Sequence, residues 1–410
     1  VLAFILVVRA GLGSLIPSGV SHVVVGDPLL PRELPKWLFK IKVLPAAGPA
    51  LDLDSVPVAT SPGRVNLQVR LWGLIPLSRL VVNVVPPVKV VPGGHSIGVL
   101  LNARGVVVVG FAEITDAAGK KRCPAREAGI AGGDIIVSVN GRSVHSEQEV
   151  RNEIQTSGEN GREVRVEVKR GDRHLVFRVK PLFCPKTGGF RLGLYVRDSA
   201  AGIGTLTFYE PRSRVYGALG HAIIEAAAGH GAAAAQGRIV EATIQGIRPS
   251  RRGQPGEKIG TLEGGVIWGE ITRNTPCGIF GPLREPLSNP LYPQPLPVAM
   301  VYQVKKGPAE MLTVLKGNRV ERFPVEILQV MPQNKREGKG MIIKIVDEEL
   351  LRQAGGIVQG MSGSPIIQEG KFVGAVTHVF INDPTRGYGV LAEWMLLDAN
   401  LMPAREEKAA

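Results

Sequence analysis

The chain contains 410 residues, enough to bury more than one hydrophobic core, and its 44% hydrophobic and 21% charged residues are the composition of a folded, soluble protein. With 51 glycines, 31 prolines and prominent valine, many short strands joined by tight turns are expected, so the fold class is mainly β. A net charge of +13 would suit nucleic acid or an anionic membrane surface. Nucleic acid is set aside, because Lys and Arg are dispersed without a basic run interleaved with aromatics, and no helix-turn-helix, RNA-recognition or zinc-finger pattern occurs.

The first residues, Val1 to Val8, form an apolar run closed by Arg9. The run is too short to cross a bilayer and reads as the tail of a longer hydrophobic segment. Residues 1–20 are therefore expected to be the remainder of a signal peptide or signal anchor, which would tether an exported protein to a membrane. Residues 21–92 alternate Val/Leu-rich stretches with Pro-containing breaks. The period-two pattern of Val65, Leu67, Val69 and Leu71 predicts a strand with one buried face, in a β-rich spacer to which no chemistry is assigned.

A compositional change at VVPGGHSIGVLL opens a pattern that closes near Pro181. It holds a helix with Ser146 and Glu149 at capping-box spacing and Val150 and Ile154 on one face. It also holds a strand pair joined through Arg170-Gly171-Asp172. The residues Ala128, Gly129, Ile130, Gly133, Asp134, Ile136, Val139, Asn140 and Gly141, in the form AGIxxGDxIxxVNG, resemble a PDZ domain, placed here at 93–182. That resemblance implies a peptide groove whose carboxylate-receiving loop is Ile97-Gly98-Val99, with an extended peptide added as a strand facing the Ser146 to Gln155 helix.

Residues 183–410 suffice for a double β-barrel. Their strongest signal is GGIVQGMSGSPIIQEGKFVGAVTHVF, centred on Gly360-Met361-Ser362-Gly363-Ser364-Pro365. A nucleophilic serine needs neighbours without bulk, so that its Oγ is exposed and backbone N–H groups converge on the developing oxyanion. The N–H groups of Gly360 and Ser362 are the expected donors. The turn and the hairpin after it look like the nucleophile loop of chymotrypsin-fold proteases, in which Gly374 to Val379 and Gly387-Tyr388-Gly389 would line the specificity pocket. Serine alone is a poor nucleophile and requires a base. Two histidines compete, His221 at a Gly217/Gly220 turn and His378 on the strand after the nucleophile hairpin. No metal ligand set appears, since no HExxH or comparable spacing occurs, and no cofactor is expected. Cys123, Cys184 and Cys277 fit neither a metal site nor a disulfide framework and read as small hydrophobes.

YGxLGHxI, a GPAxxLTVxxG-like segment, GGIVQGMSGSPI and THVFINDPTRGYGV, in that order, resemble the stage IV sporulation protein B peptidase family. The resemblance implies His221 as general base, Ser362 as nucleophile and Asp347 as the acid that orients the base. Asp347 also reads as a helix N-cap, and Asp383 is its competitor. Ser364 does not inherit a catalytic role and is expected to support the loop through its hydroxyl. Glu225 stands where the family often carries Asp. The resemblance further implies a self-cleaving protease, exported to the space between forespore and mother-cell membranes. Its polypeptide substrate there would be a membrane-bound regulator of an intramembrane protease. Two rival functions are a catalytically silent PDZ adaptor and a general envelope quality-control protease, the second disfavoured because such enzymes usually carry PDZ after the protease domain.

Overall fold

The computed structural model describes residues 19–30, 38–44, 51–53, 58–101, 105–115, 119–144, 147–171, 173–197, 201–223, 237–331 and 338–403. The apolar run at Val1, the cap at Ser146, the turn residue Asp172 and Glu225 lie outside them. Among the described residues no helix is long and apolar enough to cross a membrane.

Three β-rich bodies follow from the strand pairing. The first is a five-stranded sheet in the order Gly19–Val24, Ile75–Val85, Gly63–Leu71, Phe39–Leu44, Leu51–Leu53. Alternation along Gly63–Leu71 buries Leu67, Val69 and Leu71 against Val23, Phe39, Leu80 and Val82. This sheet is more than a spacer, because it is bolted to the C-terminal helix Ala392–Asp398. His22 Nδ1 meets Glu393 Oε1 at 3.0 Å in a buried pair, and Glu393 Oε2 accepts from Val301 N at 3.0 Å.

The second body is the PDZ sheet, ordered Arg173–Val179, Val164–Arg170, Ile135–Val139, Val106–Phe111, Leu194–Arg197, with the helix Glu147–Glu159 burying Val150 and Ile154 against it. Its sequence signature has a direct cause. Asp134 is buried, accepts from Ala131 N at 2.9 Å, and takes both arms of Arg170, Nε at 2.7 Å and a terminal nitrogen at 2.8 Å. Asn140 sits at φ 53° before Gly141 at φ 78°, the left-handed pair that a tight hairpin needs, and exchanges backbone and side-chain bonds with Arg165.

The third body is a double barrel. One barrel runs Glu257–Ile271, Gly237–Arg248, Ser96–Leu101, Ala201–Glu210, Val215–Ala218 and Gly278–Pro282. A bridge between Gly269 and Leu283 and the bond Arg284 N to Trp268 O at 2.8 Å bring its last strand back to its first. The other is a closed barrel of Gly307–Thr313, Glu321–Val330, Met341–Ile345, Asp383–Leu391, Lys371–Phe380 and Pro365–Gln368. Each has its own interior, Ile97, Leu206, Tyr216 and Ile239 in the first and Met311, Ile343, Phe372 and Val376 in the second.

The order of these bodies along the chain differs from the expected one. Ser96–Leu101 pairs with Ala201–Glu210, Ser96 opposite Thr205, and on its other edge with Gly237–Arg248. Lys89–Pro92 pairs with Ala201–Glu210 as well. The PDZ sheet is thus inserted between two hairpin strands of the first barrel instead of preceding the catalytic domain, and it reaches past 182 to Arg197. Ile97-Gly98-Val99 cannot receive a peptide. Both edges of its strand are occupied, Ile97 and Val99 are buried, and a Cβ on Gly98 would sit 2.5 Å from Leu262 Cδ2.

Candidate active site

The turn that carries Ser362 is built by glycines in a conformation that side chains strain. Gly360 and Gly363 both hold φ 94°. A Cβ on Gly363 would lie 2.1 Å from Thr205 O and 2.5 Å from Leu219 N, so the turn presses directly on the first barrel. Three bonds fix it there. Thr205 Oγ1 donates to Gly360 O at 2.7 Å, Thr207 Oγ1 to Gly363 O at 2.8 Å, and Thr205 N to Ser362 O at 3.0 Å. Thr205 and Thr207, alternate residues of the strand Ala201–Glu210, therefore mark the face that carries the turn, a role invisible in the sequence. Among the described residues no hydrogen bond occupies the N–H of Gly360 or Ser362, whereas that of Gly363 donates to Val376 O at 2.8 Å. Ser364 supports the loop through its backbone, N to Met361 O at 2.9 Å and O from Val376 N at 3.0 Å. Among the described residues its hydroxyl is buried without a partner, contrary to expectation.

His221 reaches the same place from the other barrel. Leu219 and Gly220 hold consecutive left-handed angles, φ 68° and 72°, which turn the chain out of Val215–Ala218. A Cβ on Gly220 would touch Thr377 Cγ2 at 2.9 Å, so only glycine lets this segment lie on Thr377. The His221 ring then stands 5.2 Å from the His378 ring, centroid to centroid, while Ser362 Oγ donates to Thr377 O at 2.8 Å. Histidine and serine thus converge on adjacent residues of one strand. The serine hydroxyl is directed to a carbonyl and not to the imidazole. His221 Nδ1 lies 2.9 Å from Ala222 O, and because a carbonyl only accepts, Nδ1 carries the proton and Nε2 is left as the acceptor nitrogen. Burial depresses the His221 pKa below the usual imidazole value, with the Ala222 bond opposing. His378 is lowered too, by burial first and then by His221 and Lys339. Its strand pairs with the predicted pocket segment, Val376 with Gly389 and His378 with Tyr388.

The acid expected beside His221 is elsewhere. Asp347 caps the helix Glu348–Ala354, accepting from Leu350 N at 2.7 Å. Gly338 lies near Gly220, but Asp347 follows the far end of Met341–Ile345, about 13 Å of strand at ~3.3 Å per residue. The local Asp-Glu-Glu cap chemistry wins over the triad role. Asp383 is engaged by Thr385 Oγ1 at 2.6 Å and Arg386 Nε at 3.1 Å.

Sequence reasoning missed two groups of residues. Lys258 is buried with its Nζ on Thr313 Oγ1 at 2.8 Å and Ser96 Oγ at 3.3 Å, and its stem flanks Gly360. Burial pushes its pKa down to about 7. In the PDZ sheet the open edge is Leu194–Arg197, paired only to Val106–Phe111 among the described strands and entered through Gly193 at φ 77°. The signal was present as GFRLGLYVR, a glycine before an alternating apolar strand.

The SpoIVB peptidase S55 family model matches residues 188–396, just over half of the chain, and a PDZ domain model matches residues 115–170. The chain belongs to the SpoIVB peptidase S55 family. It is a serine peptidase with a PDZ domain. Among solved structures it is similar to the PDZ domain of the SdrC-like protein Lmo2051 from Listeria monocytogenes, at 24% identity over 23% of this chain and 88% of that one, TM-score 0.19. It is also similar to the Rv3671c protease of M. tuberculosis. The active form shares 14% identity over 52% of this chain and 78% of that one, TM-score 0.28. An inactive serine-to-alanine form shares 15% over 50% and 84%, TM-score 0.27. The search of curated proteins gave no match.

Proposed function

We propose that this peptidase cleaves peptide bonds by acyl transfer to Ser362, with His221 as general base and the N–H groups of Gly360 and Ser362 as the oxyanion donors. What carries the reading is the convergence of the two side chains on Thr377 and His378. Rotation of the Ser362 side chain off Thr377 O would free its hydroxyl to give its proton to His221 Nε2 as Oγ attacks the scissile carbonyl. The oxyanion would take the two unoccupied N–H groups, and His221 would return its proton to the leaving amine before water releases the acyl group.

The PDZ domain would position the polypeptide substrate, and its open edge Leu194–Arg197 supplies unpaired backbone groups to which a peptide can add as a strand. Membership of the SpoIVB family supports a regulatory substrate associated with a membrane during sporulation, together with self-cleavage, export and membrane anchoring through the N-terminal segment. A direct test is hydrolysis of casein and of the chain itself by the full-length protein. Ser362→Ala and His221→Ala should each abolish both activities. Unchanged cleavage by either variant would overturn that residue's role. A peptide with a free C-terminal carboxylate should perturb the amide resonances of Leu194–Arg197 and leave those of Ile97–Val99 unmoved, whereas the reverse would reject the groove.

A further inference from the structure

A catalytic imidazole must be held in one tautomer and one orientation, a task commonly given to a carboxylate on its Nδ1–H. Here Nδ1–H points at the backbone oxygen of Ala222, the next residue in the chain. A backbone carbonyl can do this only if its own peptide is fixed. Ala222 and Ile223 belong to no strand, yet the peptide between them is gripped from outside. Asn274, buried in the strand Arg273–Thr275, accepts from Ile223 N through Oδ1 at 2.9 Å and donates to Ile223 O through Nδ2 at 2.9 Å. One carboxamide thereby reproduces both bonds of a β-bridge. The nitrogen it engages belongs to the same peptide unit as the Ala222 carbonyl oxygen, so holding Ile223 N fixes the plane in which that oxygen lies.

The anchor of the clamp extends to the barrel that carries the serine. Thr275, next to Asn274, bonds through Oγ1 to Asp398 Oδ2 at 2.6 Å, and Asp398 ends the helix packed on the second barrel. A chain of short bonds thus runs from that helix through Thr275 and Asn274 to Ile223, Ala222 and the ring of His221.

We propose that Asn274 is a positioning residue of this peptidase. By clamping Ile223 it holds the Ala222 carbonyl against His221 Nδ1–H and leaves Nε2 free for the serine proton, the duty otherwise expected of a carboxylate. This rests on the reading of His221 as general base. Among the described residues the titratable group facing His221 is His378, itself under the influence of Lys339, and neither presents an acceptor carboxylate to the ring.

The test has two readouts on the full chain. The first uses the unmodified protein with 15N-labelled histidine. His221 should be a single Nδ1–H tautomer at neutral pH, and an Nε2–H tautomer there would overturn the proposal without any variant. The second is the rate of Ser362 modification by a fluorophosphonate probe. Asn274→Ala should slow it by about 10–100-fold and let both His221 tautomers appear. Asn274→Asp, which keeps the acceptor for Ile223 N but sets an oxygen against Ile223 O, should also be slowed. A folded variant of either kind that labels at the unmodified rate with His221 still in the Nδ1–H form refutes the clamp. His221→Ala labelling at the unmodified rate would instead refute the base, so the two failures are distinct.

Discussion

Lys258 gives the sharpest quantitative consequence of the barrel interface. Its ammonium group is buried where Ser96 of the first barrel and Thr313 of the second meet the Ser362 turn, and both bonding partners are neutral hydroxyls. With a pKa of about 7 in the fold against 10.5 for a free lysine, the folded protein has lost this proton over most of the range from 7 to 10.5 while the unfolded chain keeps it. The unfolded state then binds more protons, so stability rises with pH through that window, by up to ~1.4 kcal/mol per unit. Below pH 7 both states are protonated and the full cost of the buried charge is present. Between pH 7.5 and 9.5 the gain amounts to about 2–3 kcal/mol. Lys258→Met keeps the stem against Gly360 and removes the proton. Urea unfolding of both proteins at the two pH values, followed by tryptophan fluorescence, isolates this term as a double difference. The unmodified protein should gain about 2–3 kcal/mol more than the variant. Parallel pH dependence of the two would refute the assignment of a depressed lysine to this interface.

Three further outcomes follow from the same geometry. Gly363→Ala sets a Cβ against Thr205 O in a left-handed conformation, so casein hydrolysis should vanish and stability should fall by about 2–4 kcal/mol, read by thermal melting. Asp347→Ala should cost about 1 kcal/mol as a lost helix cap and leave the rate of Ser362 modification within about twofold, whereas complete loss of activity in a folded variant would restore it to the catalytic set. The acid limb of kcat/KM should lie below the ordinary imidazole value near 6.5, because burial depresses His221 and the base works only when neutral; activity is then retained at pH 6.5 and lost as pH falls through the folded pKa. A limb above 7 would contradict that sign.

Much of this molecule could be read from residues whose meaning is local. Gly360 and Gly363 announce a turn that excludes side chains, and Asp134 with Asn140-Gly141 announces a PDZ core because Asp134 accepts from Ala131 N three residues away and Asn140-Gly141 is a left-handed turn pair. Long-range pairing was illegible. GGHSIGVLL has the same apolar alternation whether it opens a PDZ sheet or lines a barrel, and only its partner Ala201–Glu210, beyond the whole PDZ insertion, decides between them. Asp347 shows the same limit at a single residue, since a triad acid and a helix cap look alike until the helix is seen to begin at Glu348. Asn274 and Lys258 carry no motif at all. Their roles come from Ile223, Thr313 and Gly360, which the sequence places far from them.

The pairing of one serine and one histidine across two barrels is tested most directly by mapping fluorophosphonate modification by mass spectrometry. A single adduct on Ser362, absent in His221→Ala and retained in His378→Ala, is the expected result. An adduct on Ser364 or another serine, or labelling of Ser362 that persists without His221, would contradict the account.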